Sequence, residues 1–507
     1  MTINYLIESV GLSAEELRRY LVAEIDEFLA ASDPTAMEEE FGDALFALAC
    51  MAWAHSGHHY RLGLDAAEAK LRQRLRDHAT LARRPRRYAD DRIAELEIGV
   101  VHFALGQFGG QWHQFDALHN GTVAEVSLLT DAPFGRPGTL TNHCIVTFGD
   151  TDALTYDILY AAATTRSGNT IRCEIPNFMF DCAKKRLKFA EFGELLALQV
   201  LAGIDGIRLA ADAVAHFHSW EAGFLAESPA FWQRISTLKT IFSPYLTVGR
   251  LKTVFDARGG TGWTMTPEEL AIAAHFERKL SEVCMRVVLE SSQDRDFFMG
   301  WVHRERLDVR SYARTRAASI GRAPVRDGRL AFVAGGRPVR EKGFVELCRQ
   351  FIQVRAWAAG RDLEATLSIL CRERNRAKGA GYIAEVETAI AAGGLEGAVA
   401  IEPKVSIDEL RRRIGEASAL IVPSLYDPYG LMPTYAIEVD RPAFVSCHAG
   451  IAENLKSRDF VFDPEADGDL VRSVRAWYEG DLTFEFESRF PSYLDLYLSK
   501  EPRPTWE

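Results

Sequence analysis

At 507 residues the chain is too long for a single hydrophobic core, and about three domains are expected. With 47% hydrophobic and 26% charged residues the composition is that of a globular protein, and a net charge of −12 argues against a broad nucleic-acid footprint. The eight cysteines are scattered with no C-x-x-C pair, which fits reduced thiols better than a disulfide framework or a zinc site. The opening Met1-Thr-Ile-Asn-Tyr5 lacks the basic-then-apolar build of a signal peptide, and apolar runs such as 195–203 are too short to span a bilayer. A cytoplasmic protein with no membrane span is expected.

Residues 1–85 read as all-helical. Ser13 and Glu16 form a capping box ahead of Leu17, Leu21, Ile25 and Phe28, which recur at helical spacing. A second helix follows Asp33-Pro34 through Met37, Phe41, Leu45 and Leu48, and a third carries Ala69, Leu71 and Leu75. Such a small bundle has little core, so pairing with a second copy, a homodimer through this module, is expected. Glu24 with Glu27, and Glu40 with Asp43, each stand three apart on a helix and so share a face. Four carboxylates brought together repel unless a hard cation lies between them, and Mg²⁺ suits oxygen ligands. The two motifs, Gly42 beside Asp43 and the basic segment 70–78 resemble MazG-type nucleotide pyrophosphohydrolases. That resemblance implies Glu24, Glu27, Glu40 and Asp43 as Mg²⁺ ligands and Lys70 as a phosphate contact. A solvated acidic face is the plain alternative. Residues 86–95, following arginines 83 and 84 around Pro85, read as a basic linker.

From residue 96 the pattern becomes α/β. Residues 98–105 are a buried-strand run, broken by Gly106-Gln-Phe-Gly-Gly-Gln-Trp-His113, the usual opening of a doubly wound domain. Strands are expected at 123–129, 144–148 and 171–175, and another at 239–245. A strong amphipathic helix is expected over 268–287, then an apolar strand ending in Ser292. Residues 317–327, with Gly321, Pro324 and several Arg, read as the link to the next domain. Beyond it, strands at 330–333, 365–370, 399–401, 419–422 and 442–446 alternate with helical patterns at 344–355, 407–414 and 467–478, which argues a parallel sheet.

Two stretches of this last part stand out. Val333-Ala-Gly-Gly-Arg-Pro-Val-Arg-Glu-Lys-Gly343 and Pro423-Ser-Leu-Tyr-Asp-Pro-Tyr-Gly-Leu-Met-Pro-Thr-Tyr-Ala-Ile-Glu438 each run from a strand through a Gly-bearing turn into a helix. Backbone amides at a helix start, with a nearby Arg and Lys, suit a diphosphate. Together they resemble the nucleotide-sugar site of retaining GT-B glycosyltransferases of the glycogen- and sucrose-phosphate-synthase kind, glycosyltransferase family four. The segment 213–224 resembles that group's H-x-H-D-W-x-x-G, with Ser219 in place of the usual Asp.

The GT-B resemblance implies Arg337 and Lys342 as the diphosphate clamp and His218 beside the transferred sugar. It implies Gly109 and Gly110 against the donor phosphates, and Asp427, Gly430 and Leu431 at the sugar. In the usual Glu-x7-Glu signature Asp427 takes the first position and Tyr435 the second, so the ribose is expected to be held differently, with Glu438 one turn on as a candidate. It implies a metal-free front-face mechanism, so no cofactor is expected for the transferase. The fold class is therefore multidomain: a MazG-like all-α module (1–85), a linker (86–95) and a GT-B pair of Rossmann-like domains. Of these, 96–325 is the acceptor domain and 326–475 the donor domain, and 476–507 crosses back. The expected function is sugar transfer from a nucleotide-sugar donor to an unknown acceptor. The fusion points to a nucleoside-linked acceptor and a second, pyrophosphohydrolase activity. The rivals are a pyrophosphohydrolase with a degenerate sugar-nucleotide-binding part, and a non-catalytic nucleotide-sugar-binding scaffold.

Overall fold

The computed structural model describes residues 96–105, 142–148, 163–167, 169–175, scattered positions from 193 to 204, and 207–498 except 236, 260–262, 264, 311–316, 322–327, 373–378, 404, 481 and 488–492. By their contacts the described residues divide into two units. One holds those from 96 to 217 and 221 to 239, the other those at 218–220 and from 240 to 498. The helices expected in 1–85 and the strand expected at 123–129 lie outside the described residues.

In the first unit β1 (Glu97–Ala104), β2 (His143–Phe148), β3 (Ala163–Ser167), β4 (Thr170–Ile175) and β5 (Arg208–His218) run in the spatial order β3-β4-β2-β1-β5. β2 is parallel to both β1 and β4, while β3 turns back antiparallel on β4. β1 is buried along nearly its whole length, as expected of a central parallel strand covered on both faces. Phe103 stacks on Phe217 at 4.9 Å, and Phe231 of α1 (Pro229–Ile235) meets Phe103 edge-on at 5.3 Å.

The second unit opens with β6 (Lys239–Ser243), which lies parallel to β7 (Arg286–Leu289), and β7 parallel to β8 (Leu307–Val309). Between β6 and β7 come α2 (Val248–Arg258) and α3 (Pro267–Val283). α3 begins where its sequence says it should: Thr266 and Glu269 form a reciprocal capping box and Pro267 fills the first turn. It stops at Val283, earlier than the 268–287 pattern suggests, because Val287, Val288 and Leu289 bury in the sheet as β7. α4 (Ser292–Phe298) follows, its start capped by Ser291. Within the stretch read as a linker, β9 (Ala318–Ile320) forms instead, held antiparallel by a late strand at 484–486.

The rest of this unit is β10 (Arg329–Gly335), α5 (Phe344–Ala359), β11 (Glu364–Arg372), α6 (Ala380–Ala392), β12 (Val399–Pro403), α7 (Ile407–Glu416), β13 (Ala419–Val422), α8 (Met432–Glu438), β14 (Ala443–Ser446), β15 (Val461–Phe462) and α9 (Asp469–Gly480). β16 (Phe484–Phe486) and α10 (Tyr493–Leu498) end it. The six strands β10–β15 are parallel and ordered β12-β11-β10-β13-β14-β15. The first strand of the set thus sits centrally and the order reverses between β10 and β13. In open α/β sheets that reversal parts the loops at the strands' C-terminal ends and leaves a crevice for ligand. Aromatic packing holds the sheet's faces: Phe332 meets Phe351 edge-on at 5.9 Å, and Phe444 stacks on Phe460 at 5.6 Å. No helix among the described residues is long and apolar enough to cross a membrane.

Candidate functional site

The loops leaving β10 and β13 meet at this reversal. After β10 the chain passes Gly336 and Arg337 into a single 3-10 turn, Arg340–Lys342, and reaches α5 through Gly343. Gly343 has φ +68°, and a Cβ there would lie 2.0 Å from the Pro423 carbonyl oxygen, so only glycine lets the two loops approach this closely. The contact is tied by backbone bonds, since the Glu341 carbonyl accepts from the amides of Leu425 (2.8 Å) and Tyr426 (3.3 Å). Across it Lys342 Nζ donates to Asp427 Oδ2 at 2.5 Å, with both side chains mostly buried. Arg337 lies at the same turn, exposed, and makes no ion pair with the described residues. Gly430 has φ +93° and lies against Ile451 and Ala449, and Leu431 caps α8.

The structure therefore brings Lys342 and Asp427 into contact, with Arg337 and Gly430 on the same two loops. Tyr435 and Glu438 make different contacts. The Arg411 guanidinium lies 5.3 Å over the Tyr435 ring, and its Nε donates to Glu438 at 2.6 Å, on the face α8 shares with α7. The Asp427 loop is also stitched to the segment after β14: Asp427 N donates to the His448 carbonyl (3.3 Å), and Gly450 N to the Asp427 carbonyl (3.0 Å). Gly450 approaches so closely that a Cβ would meet the Pro428 oxygen at 1.9 Å and Ser291 Cβ at 2.8 Å.

Ser291 belongs to the other wall, the C-terminal ends of β6 and β7. Glu453 accepts from the amides of Ser292 (3.0 Å) and Gln293 (3.3 Å), and the Tyr426 hydroxyl accepts from the Thr247 amide at 3.0 Å and donates to the Thr247 carbonyl at 3.1 Å. On this wall His218 is buried, with Nδ1 hydrogen-bonded to the Tyr245 hydroxyl at 2.7 Å. Burial, with Tyr493, Tyr497 and Glu290 near, holds the Tyr245 phenol well above its ordinary value, so it stays protonated. The backbone is strained at this pair: Ser219, next to His218, has φ +65° and Tyr245 itself φ +53°, a conformation costly for residues with side chains and concentrated at functional sites.

Two acids on this wall carry no sequence motif. Glu290, directly after β7, is 3% exposed, and neither carboxylate oxygen meets a hydrogen-bond partner among the described residues. Burial first, then the charges of Asp294 and Asp427, push it well above the usual carboxyl range. Asp294 is buried too, but Arg250 donates to it at 2.9 Å, and the same guanidinium lies 5.2 Å from the Tyr426 ring centroid. A lone acid directly following the apolar run Val287–Leu289 at the end of a strand was the signal available for Glu290, since such positions face the crevice. Gly109, Gly110, Glu24, Glu27, Glu40, Asp43 and Lys70 lie outside the described residues.

These features define a GT-B-type α/β fold with a Lys342–Asp427 pair on one wall of its crevice and the buried acids Glu290 and Asp294 on the other. Solved structures share it. Sucrose-phosphate synthase from Thermosynechococcus elongatus superposes with TM-score 0.52 and 15% identity, covering 76% of this chain and 90% of that one. The UDP-forming α,α-trehalose-phosphate synthase from Burkholderia vietnamiensis gives 0.51 at 12% identity over 75% and 90%. The trehalose-6-phosphate protein of E. coli bound with UDP-2-fluoro glucose gives 0.51 at 11% identity over 78% and 95%. At these identities the likeness is one of fold. No family profile and no curated protein matches the sequence.

Proposed function

We propose that the α/β part of the chain is a retaining glycosyltransferase that takes a sugar from a nucleoside diphosphate donor. The observation that carries the reading is the Lys342–Asp427 contact at the reversal of the six-stranded sheet. In that place a cation serves a leaving diphosphate and a carboxylate serves sugar hydroxyls. When donor binds, Lys342 exchanges its carboxylate partner for phosphate oxygens, and Asp427 is released to accept from the sugar. Arg337 joins Lys342 where negative charge grows as the glycosidic bond breaks. His218, oriented by Tyr245, and Glu290 face the sugar from the β6–β7 wall. In this reading the departing phosphate takes the acceptor's proton, so no protein nucleophile is assigned. That neighbours of the same fold are sucrose- and trehalose-phosphate synthases, one bound with a UDP-sugar analogue, supports the donor class.

The experiment is a calorimetric panel of UDP, ADP and GDP and their glucose conjugates against the full chain, followed by product analysis with candidate acceptors. Binding of a nucleotide sugar more tightly than its parent diphosphate, with slow release of the sugar, is expected. Indifference to the whole panel would remove the reading.

Residues 1–85 we read as a MazG-like module in which Glu24, Glu27, Glu40 and Asp43 hold Mg²⁺, Lys70 meets phosphate, and two copies pair as a homodimer. Its expected activity is cleavage of a nucleoside triphosphate to monophosphate and pyrophosphate, which links the fusion to a nucleoside-bearing acceptor. Pyrophosphate release by the full chain should need Mg²⁺ and vanish in Glu40→Gln. Activity equal in both proteins would reduce the module to a pairing element.

A further inference from the structure

Independently of the transferase reading, a second cluster sits at the C-terminal ends of β14 and β15. The two strands are parallel, with Val445 opposite Val461 and Ser446 opposite Phe462, so Cys447 and Asp463 leave the sheet side by side. Their backbones are held: Cys447 N donates to the Phe462 carbonyl at 2.9 Å, Gln293 Nε2 donates to the Cys447 carbonyl at 3.0 Å, and Asp463 N donates to Asp469 at 2.8 Å. His448, next in sequence, is fixed by its amide on Ser446 Oγ at 3.1 Å. The Cys447 thiol, a His448 ring nitrogen and an Asp463 carboxylate oxygen all lie within 4.8 Å of one another.

The spacing inside this cluster is informative. His448 Nε2 is buried and makes no hydrogen bond with the described residues, yet it faces Asp463 Oδ1 at 3.7 Å and Glu465 Oε2 at 4.0 Å. Those distances are too long for hydrogen bonds. They are near the separation of about 3.3–3.7 Å that two ligands keep when each lies about 2.0–2.3 Å from one tetrahedral zinc. A thiol, an imidazole and carboxylates together form the donor set of a zinc-class ion rather than of Mg²⁺ or Ca²⁺, which take oxygen. Charge agrees. Asp463, Glu465 and Asp469 converge here; Arg258 is bound to Glu465 and Arg472 Nε donates to Asp469 at 2.6 Å, which leaves Asp463 without a guanidinium partner among the described residues.

We propose that Cys447, His448 and Asp463, with Glu465 as the fourth ligand, form a structural site for a zinc-class divalent cation that ties the ends of β14 and β15 together. Binding exchanges the thiol proton for the metal and releases that proton to solvent, so affinity rises with pH. The ion would also steady the segment whose His448 carbonyl receives the Asp427 amide. No sequence spacing announces the site, because its ligands come from two strand ends some fifteen residues apart that only the parallel register brings together.

The test uses the full chain stripped with a chelator and reloaded with Zn²⁺ or Co²⁺. One Zn²⁺ bound per chain, a raised unfolding midpoint and a Co²⁺ spectrum with tetrahedral d–d bands and a thiolate charge-transfer band are expected. Cys447→Ser should abolish the charge-transfer band, and Asp463→Asn should weaken binding on the order of a hundredfold. Glu465→Gln should weaken it by about tenfold, since Arg258 shares that carboxylate. Stoichiometric metal with an unchanged cobalt spectrum in Cys447→Ser would assign the ion to other residues and overturn the proposal. So would failure of the wild type to retain either metal, a result that does not depend on any variant folding.

Discussion

The loops after β10 and β13 and the segment after β7 both leave the C-terminal ends of parallel strands, yet they hold charge in different ways. On the first wall the charges are balanced and partly open to solvent: Lys342 pairs with Asp427, and Arg337 is exposed. On the second wall acids are buried, and Glu290 has no counter-cation among the described residues while Asp294 has Arg250. A mobile cation whose partner can be exchanged suits a diphosphate that arrives and departs. A carboxyl that burial holds in its neutral form can give one hydrogen bond and take another, which suits a hydroxyl group. In the proposed transferase, anion binding would fall to the first wall and hydroxyl recognition to the second.

The largest effect should come from the first wall. Arg337→Ala and Lys342→Ala should each slow sugar transfer on the order of a hundredfold or more, the usual loss when a donor to developing charge is removed. The check is kcat/KM with an unchanged circular dichroism spectrum. Equal turnover in both variants would dissolve the contrast between the walls.

Next comes the join between loops. Gly343→Ala must either break the approach to Pro423 or strain a left-handed backbone, and should cost more than about 2 kcal/mol in chemical denaturation. A cost below a few tenths would mean the two loops are not pressed together in solution.

On the second wall the sign reverses. Glu290→Leu removes a buried carboxyl that has no hydrogen-bond partner among the described residues and should stabilise the protein by about 1–3 kcal/mol while weakening sugar-dependent donor binding. Glu290→Gln keeps one donor and one acceptor and should retain that binding. A destabilised Glu290→Leu protein would show that the acid is satisfied after all, and would merge the two walls into one class.

The pH dependence of stability sharpens the same point through Glu277, which is buried beneath α2. Its carboxylate accepts from the amides of Val248 (2.6 Å) and Gly249 (2.9 Å), but burial outweighs these bonds and pushes it up to about 8 from 4.5. The folded state therefore keeps a proton that the unfolded state has released. Its contribution is complete below pH 4.5 and is lost as pH rises through 8. Relative to Glu277→Gln, the wild type should lose up to about 1.4 kcal/mol per pH unit across that window, read from denaturation midpoints. Parallel curves would indicate that the two amide bonds prevail.

The smallest effect is expected at Tyr435. Its ring under Arg411 is retained in Tyr435→Phe, so donor affinity should change by about 1 kcal/mol or less. A larger loss, confined to ribo- over 2′-deoxyribonucleotide donors, would place the hydroxyl at the ribose instead of on the face α8 shares with α7.

What the chain states locally, it states clearly. The apolar runs of β10, β13 and β14, the amphipathic period of α3 and the glycines at 343 and 430 are legible because period and positive-φ turns are short-range demands of the backbone. From them the parallel sheet could be read, while Arg337, Lys342 and Asp427 are singled out by the resemblance of their two Gly-bearing stretches to a known family. Other features needed the fold. Ala318–Ile320 is a strand only because Phe484–Phe486 pairs with it, and α3 ends early because Val287–Leu289 gains more from the sheet than from another helical turn. Tyr435 and Glu438 turn to Arg411 because α7 packs on α8, a contact invisible in the spacing of a signature. Glu290 shows the reason most plainly: in sequence it is one acid among 71 acidic residues, and only the packing of the chain around it removes the water that would otherwise have solvated it.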